Sequence, residues 1–493
     1  MSNLSEPDVI ERKFGQHVSI SLAVAVSTRI IALILVKILT LYLPKGEYAI
    51  YSLLLSLAAF LSAFSATGFS AALWRYIPRR LQQDDRKGVS RLFVTSVFGG
   101  LVVLFGATIV LYTLGLPGFD TSTIPDMSVV ITIVFILALT FNLKEFVLVF
   151  SNSEQNSREV LYFNLSYAIG SSIVAVIFGV VFHNFQMLLI GLTVGYGIPV
   201  VISLAAKIRQ YGFSKPAFLD FKGISRYGGP VVITNSMPDL LRFLAKYIIG
   251  IWLGIPQIAT FAIALSITGL FSFITSPPQR AYLAYITTSY EAGNLPEGDK
   301  RTSKIIELFL ILSIPMVWLL VYFSPILIEV ISTPEYLDAV NIIPFTLAAA
   351  LMESMALFWR MRINLLEKTH LVAILYSSAL ISFIVAAFLL TPTMGWTGVG
   401  IAFLVEGGII LLLNGLLGSH LLPFKMNFQF ATRFLPCSLS IVIATFFLQH
   451  IGYSNYWAAI AGVAIYGIAI YAANLLRINH IRQIIRILRG SPN

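Results

Sequence analysis

The sequence predicts an all-α polytopic membrane protein of about fourteen transmembrane helices, built as two pseudo-symmetric six-helix bundles followed by two C-terminal helices. Three observations predict it. Of 493 residues 57% are hydrophobic and only 11% charged, with a mean hydropathy of +0.85, whereas soluble domains carry roughly 25% charged residues. Apolar stretches long enough to cross a hydrocarbon core recur from end to end with no long polar segment between them. Basic residues fall almost entirely in alternate connections.

Apolar runs bounded by charges or Gly/Pro clusters give spans over residues 18–43, 48–73, 92–114, 128–150, 159–182 and 186–206. A second series covers 228–254, 258–277, 305–331, 341–358, 371–390 and 397–418, and two further spans cover 434–450 and 456–476. The domains expected are an N-lobe over 1–206, a cytoplasmic linker over 207–227, a C-lobe over 228–418, and a C-terminal unit over 419–493. The N-terminal stretch MSNLSEPDVIERKFGQH is mixed in charge and no small-residue cleavage site follows, so the first span is expected to be retained.

With the N-terminus inside, 27 of the 33 Lys and Arg residues lie in the tails and inward-facing connections, and only Lys45 lies outside. Short cytoplasmic loops retain Lys and Arg during insertion, so both termini are expected in the cytoplasm of a cell inner membrane. The same asymmetry accounts for the net charge of +10 and makes a nucleic-acid partner unnecessary. In the tail, Arg477, Arg482, Arg486 and Arg489 alternate with apolar residues at helical spacing, as expected of an amphipathic helix on anionic membrane lipids.

Shifting the sequence by 213 residues lays the first hairpin on spans seven and eight. It superposes Arg29 on Arg242, Ala32 on Ala245, Ala49 on Ala262 and Phe60 on Phe273. Two halves in the same topology imply a parallel repeat about an axis along the membrane normal, with a site between them.

Each charge at the centre of a span costs roughly 2.5–3.5 kcal/mol on insertion scales, so those present need a compensating purpose. Arg29 and Arg242 sit midway along their spans, while Lys37 and Lys144 lie nearer span ends, from which a long side chain can reach an interface. Asn235, Asp239, Arg242 and Lys246 share one helical face. Asp239 is placed to pair with Arg242 three residues on, leaving Lys246 less neutralised. Arg29 and Lys37, about 80° apart around their helix, share a broad face. These six residues are the candidate substrate contacts, a basic lining suited to phosphate or uronate oxygens, which Arg grips bidentately. The alternative use of the same charges is to knit helices together, with Asp239, Glu353 and Glu406 as counter-charges. Glu353 and Glu406 are also candidates for ion coupling, since a buried carboxylate can bind a proton or sodium ion reversibly. No glycine loop for ATP, no spaced metal-ligand cluster and no large outer loop carrying catalytic charges is evident, so no cofactor is expected and an enzyme is disfavoured.

Two segments of the first hairpin, PKGEYAIYSLLLSL (Pro44–Leu57) and ATGFSAALWRYIPR (Ala66–Arg79), resemble polysaccharide-type flippases of the multidrug/oligosaccharidyl-lipid/polysaccharide superfamily. KYIIGIWLGIPQIATFAIA (Lys246–Ala264) is similar to that family's start of the C-terminal lobe. LLTPTMGWTGVGIAFLVEG (Leu389–Gly407) is similar to its turn between spans eleven and twelve, with Pro392, Gly395, Gly398 and Ala402 fitting the pattern. The resemblance implies two bundles forming a V that opens alternately to each side, and a polyprenyl-diphosphate-linked oligosaccharide as cargo. It further implies polysaccharide polymerase or glycosyltransferases of the same pathway as partners. The superfamily's multidrug-efflux antiporters, the alternative reading, commonly carry an acidic residue in the N-lobe cavity; span one here carries Arg29 and Lys37 instead. A membrane-embedded polysaccharide polymerase is the more distant alternative.

Overall fold

The computed structural model describes residues 26–115, 127–154, 156–182, 185–216, 218–423 and 428–475. The chain is all-helical, with no strand among these residues. The N-lobe comprises α1 (26–42), α2 (Lys45–Gln82), α3 (Arg86–Leu114), α4 (Met127–Ser153), α5 (Ser157–Phe182) and α6 (Phe185–Tyr211). The C-lobe comprises α7 (Phe218–Trp252), α8 (Ile255–Thr268), a 3-10 turn (Gly269–Phe271), α9 (Ser272–Glu291), α10 (Leu295–Tyr322), α11 (Ser324–Ile331), a second 3-10 segment (Pro334–Asn341), α12 (Ile343–Leu365), α13 (Thr369–Met394) and α14 (Trp396–Leu421). Helices α15 (Phe428–His450) and α16 (Asn455–Ala472) form a terminal hairpin.

Among the described residues eleven helical stretches are long and apolar enough to cross a membrane, or twelve when α12 and the segment bent 54° before it are taken as one. The figure of fourteen is therefore not established. Two further long helices are α1, whose beginning lies outside the described residues, and α7, which carries Asp239, Arg242 and Lys246 in its apolar half. The basic tail over 476–493 lies outside them as well. The connection between the lobes is short, because α6 continues to Tyr211 and α7 begins at Phe218.

Helix α2 shows how the local sequence sets the packing. Pro44 stands at its N-cap, Glu47 in its first turn and Arg79 and Arg80 in its last, each sign matched to the helix dipole. Along its length Ala49, Ser52, Ser56, Ala58, Ser62, Ser65, Ala66, Gly68, Ser70 and Ala72 are buried. Lipid tails offer helices no hydrophobic drive to associate, so close approach over small side chains supplies the contact. Helices α3, α4, α7 and α8 all pack on α2.

The approach is tightest against α7. A β-carbon at Gly228 would overlap the Gly68 carbonyl, and further along the same pair Lys246 Nζ donates to the Ser52 carbonyl at 2.8 Å. The first helix of the C-lobe thus runs antiparallel along the second helix of the N-lobe, and it also packs on α13.

The arrangement of the cores gives the shape. At the end carrying Lys45 and Tyr336, one core joins both lobes, with Leu39, Tyr48, Leu53 and Leu57 packed in the same cluster as Ile249, Ile263, Ile328, Phe383 and Val399. At the other end, rich in Arg and Lys, the cores separate. Phe69, Leu73, Phe93 and Phe150 form a cluster of N-lobe residues, while Ile363, Tyr376 and Ile410 form one C-lobe cluster and Tyr282, Phe309 and Phe358 another. The lobes share one core at the Lys45 end and keep separate cores toward the basic end, where the α2–α7 seam still joins them. The α15–α16 hairpin attaches outside the lobes through α10, with Trp318 Nε1 donating to Thr445 Oγ1 at 3.1 Å and the Tyr466 hydroxyl to the Ile311 carbonyl at 3.0 Å.

Candidate functional site

A charged side chain half-way along a spanning helix must find water or a partner. Arg242 finds both. Its side chain is 57% exposed and its Nη1 donates to Asp239 Oδ1 at 3.0 Å, the local pair that the three-residue spacing predicts. Asn235, two turns earlier on that face, is exposed too. A guanidinium facing lipid would be costly, and Arg29 of the other lobe lies within its electrostatic reach, so this face of α7 is turned toward the N-lobe.

Arg29 approaches this face from the other lobe. Its guanidinium rests against Gly269 in the turn between α8 and α9, occupying the space that a side chain there would fill. Its buried Nε has no hydrogen-bond partner, and Arg242 lies within electrostatic reach. The two guanidiniums repel one another, and the acids within reach of the pair, Asp239 and Glu353, both lie beside Arg242, so among the described residues Arg29 has no ion-pair partner.

Lys246 and Lys37, expected to extend the basic lining, are engaged elsewhere. Lys246 is only 7% exposed and holds the Ser52 carbonyl. Lys37 Nζ donates to the Glu329 carbonyl at 2.7 Å and to the Ser332 carbonyl, both at the end of α11. The stripe on α7 therefore passes from open face to lobe contact along its length, with Asn235, Asp239 and Arg242 on the open side. Lys144 does not extend to an interface; it lies over the Tyr167 ring inside the N-lobe, 4.2 Å from the centroid. Shielding by the ring face and the adjacent Glu145 replaces the water it would otherwise seek.

Glu353 on α12 and Glu406 on α14 come together. Their carboxyl groups lie close enough to interact with one another, Glu406 is buried, and its Oε2 has no hydrogen-bond partner. Arg242 and Arg360 lie within electrostatic reach of Glu353, and Arg360 Nη1 donates to the Tyr376 hydroxyl. Among the described residues neither glutamate forms an ion pair, so they do not serve as direct counter-charges to Arg29 or Arg242. Two carboxylates this close repel one another when both are charged. Sequence reasoning missed Arg360 and Tyr376 because the span was expected to end at 358, whereas α12 runs to Leu365. The signal was present, since Arg360 follows Glu353 by seven residues and so shares its helical face.

Two buried basic residues brace the basic end. Lys207, 3% exposed, pairs with Glu154 and, at 2.8 Å, with Glu159. Arg362, 2% exposed, donates to Asp299 at 2.8 Å and to the carbonyls of Leu422 and Pro423. Each stays within its own lobe.

A family model described as "Polysaccharide biosynthesis protein" matches residues 14–289. "Uncharacterized membrane protein MJ1068" of Methanocaldococcus jannaschii is 21% identical over 322 residues, which span 60% of this chain and 62% of that protein. The fold is similar to a structure described as "Lipid II flippase MurJ, inward closed conformation", with TM-score 0.72 and 14% identity, covering 95% of this chain and all of that one. It is also similar to an inward-facing multidrug resistance MATE family transporter of the MOP superfamily, with TM-score 0.63 and 14% identity, covering 80% of this chain and 94% of that one. The helices thus adopt the fold shared by these transporters.

Proposed function

The chain belongs to the polysaccharide biosynthesis protein family, and from that premise we propose that it moves a polyprenyl-diphosphate-linked anionic oligosaccharide, a polysaccharide precursor, across the cytoplasmic membrane by alternating access. The observation that carries the reading is the pair of guanidiniums: Arg242, exposed in the middle of a spanning helix, with Arg29 of the opposite lobe beside it. A diphosphate between the two guanidiniums replaces their mutual repulsion with attraction to a shared anion. Bound substrate then favours approach of the lobes, and only such differential binding can drive a conformational cycle. Asn235 and Asp239 flank the site and suit sugar hydroxyls.

In this reading the basic end faces the cytoplasm, as the retention of Lys and Arg on that side supports, and the cleft between the lobes receives substrate from the inner leaflet. Both termini are then cytoplasmic. Transport breaks no bond, so the protein is not an enzyme, and its partners are the glycosyltransferases or polymerase that make and use the cargo. The Glu353–Glu406 pair is the proposed coupling site, taking up a proton or sodium ion as the lobes move.

That carboxyl pair also favours a second reading, ion-driven efflux of small cationic compounds. Reconstituted protein separates the two. With a fluorescent polyprenyl-diphosphate oligosaccharide in one leaflet, the first reading expects the protein to expose it to a quencher added on the far side. Movement of a cationic dye under an ion gradient, with no movement of the sugar lipid, would replace it by the second.

A further inference from the structure

Besides Lys246 on the Ser52 carbonyl, two lysines at the outermost edge of the shared core reach from the N-lobe to the C-lobe. Lys37, on α1, grips the end of the eight-residue helix α11 through the carbonyls of Glu329 and Ser332. Lys45, in the first turn of α2, donates to the Glu335 carbonyl at 2.9 Å and stands 5.3 Å from the centroid of the Tyr336 ring. Tyr336 is buried and meets Tyr48 edge-on at 6.1 Å between centroids, and Tyr48 in turn lies 5.8 Å from Tyr51. Two cations and an aromatic wedge thus fasten the first hairpin of the N-lobe to the α11 segment of the C-lobe.

The choice of acceptors is informative. Glu329 and Glu335 both have exposed side chains, yet the ammonium groups bond their backbone oxygens. The last carbonyls of α11 lack partners within the helix and carry the negative end of its dipole, so a cation belongs there. A bond from a cation to a neutral carbonyl is weaker than a buried ion pair, and neither partner is stranded as an uncompensated buried anion when it breaks. Such a fastening is one that can reopen. The braces at the other end are of the opposite kind: Lys207 and Arg362 pair with carboxylates, and each stays inside one lobe.

We propose that Lys37 and Lys45 form a two-point latch that keeps the lobes shut at this end and must release for the cleft to open there. The latch rests on the alternating-access reading given above. Lys37 is accordingly a gating residue and not a substrate contact.

Purified protein in nanodiscs tests it, because a soluble maleimide reaches both faces and burial alone sets the labelling rate. Cys437, the free cysteine of the chain, is first replaced by Ala. Ser52→Cys then reports on the buried lobe contact beneath the latch, and Asn235→Cys, in a separate protein, reports on the exposed face of α7. Lys37→Met combined with Lys45→Met is expected to raise labelling at position 52 about tenfold, equivalent to about 1.4 kcal/mol, and to lower it at position 235. Lys37→Arg should retain the parent pattern. Unchanged labelling at 52 overturns the latch. A rise at both positions also overturns it, since that reports loosening and not exchange between two closed ends. Because labelling needs no substrate, loss of the sugar-lipid reading alone would leave these expectations standing.

Discussion

Replacing Arg242 with Ala distinguishes a substrate contact from a packing charge because the structure assigns the two roles different sizes. The Arg242–Asp239 pair spans 3.0 Å with side chains 57% and 28% exposed. An ion pair so open to solvent is worth about 0.2–1 kcal/mol. Its loss should lower the melting temperature of detergent-solubilised protein by no more than about 2 °C, since shifts per kcal/mol shrink as chains lengthen. A hydrogen bond from Arg to a phosphate is worth about 1.5–3 kcal/mol, so losing it should slow sugar-lipid movement about 10- to 150-fold. Arg242→Lys should recover part of this, because a point charge remains but the planar fork does not. The measurements are melting and lipid movement on the same preparations, with Asp239→Asn added to each variant. Were Arg242→Ala to melt many degrees lower and Asp239→Asn to restore both melting and transport, Arg242 would be a structural partner of Asp239 and the proposed site would fail.

The buried braces carry the opposite expectation. Lys207→Met takes the cation from Glu154 and Glu159, and Arg362→Met takes it from Asp299 and two carbonyls; with the acids 11%, 30% and 28% exposed, each should cost less than the ~3–5 kcal/mol of a fully buried pair and still reduce the yield of folded protein on size-exclusion chromatography. Glu406→Gln, which keeps the shape of the Glu353 partner but not its charge, should leave melting near the parent value while removing the dependence of transport on an imposed proton or sodium gradient. Full retention of that dependence in both Glu406→Gln and Glu353→Gln would remove these residues from the coupling step.

The helical fold was legible because the bilayer makes each crossing repeat the same apolar length, and the Asp239–Arg242 pair was legible because it lies within one turn of one helix. Which charges stay in the cleft was not. Lys246 lies one turn beyond Arg242 on the same stripe, yet it is engaged by the Ser52 carbonyl of a helix nearly two hundred residues away in sequence, and periodicity cannot know where a neighbouring helix offers an acceptor. Lys37 was hidden for the same reason, since its partners are backbone oxygens, which every residue has. Glu353 and Glu406 stood out singly as costly charges, but their meeting depends on the contact between α12 and α14. Helix α7 begins at Phe218, ten residues before the apolar run expected over 228–254, because hydropathy marks only the membrane-crossing part of a helix and the polar turns before it leave no apolar signal.

The close run of α7 along α2 bears on how the molecule divides as well as on motion. The opening helix of the C-lobe has its tightest seam, at Gly68 and Gly228, with the N-lobe. The point where the chain passes from one lobe to the other and the line along which the lobes adhere are then different boundaries. Severing the short connection at 212–217 would not yield two self-sufficient halves, because each fragment would carry one side of a seam whose other side had left with its sibling.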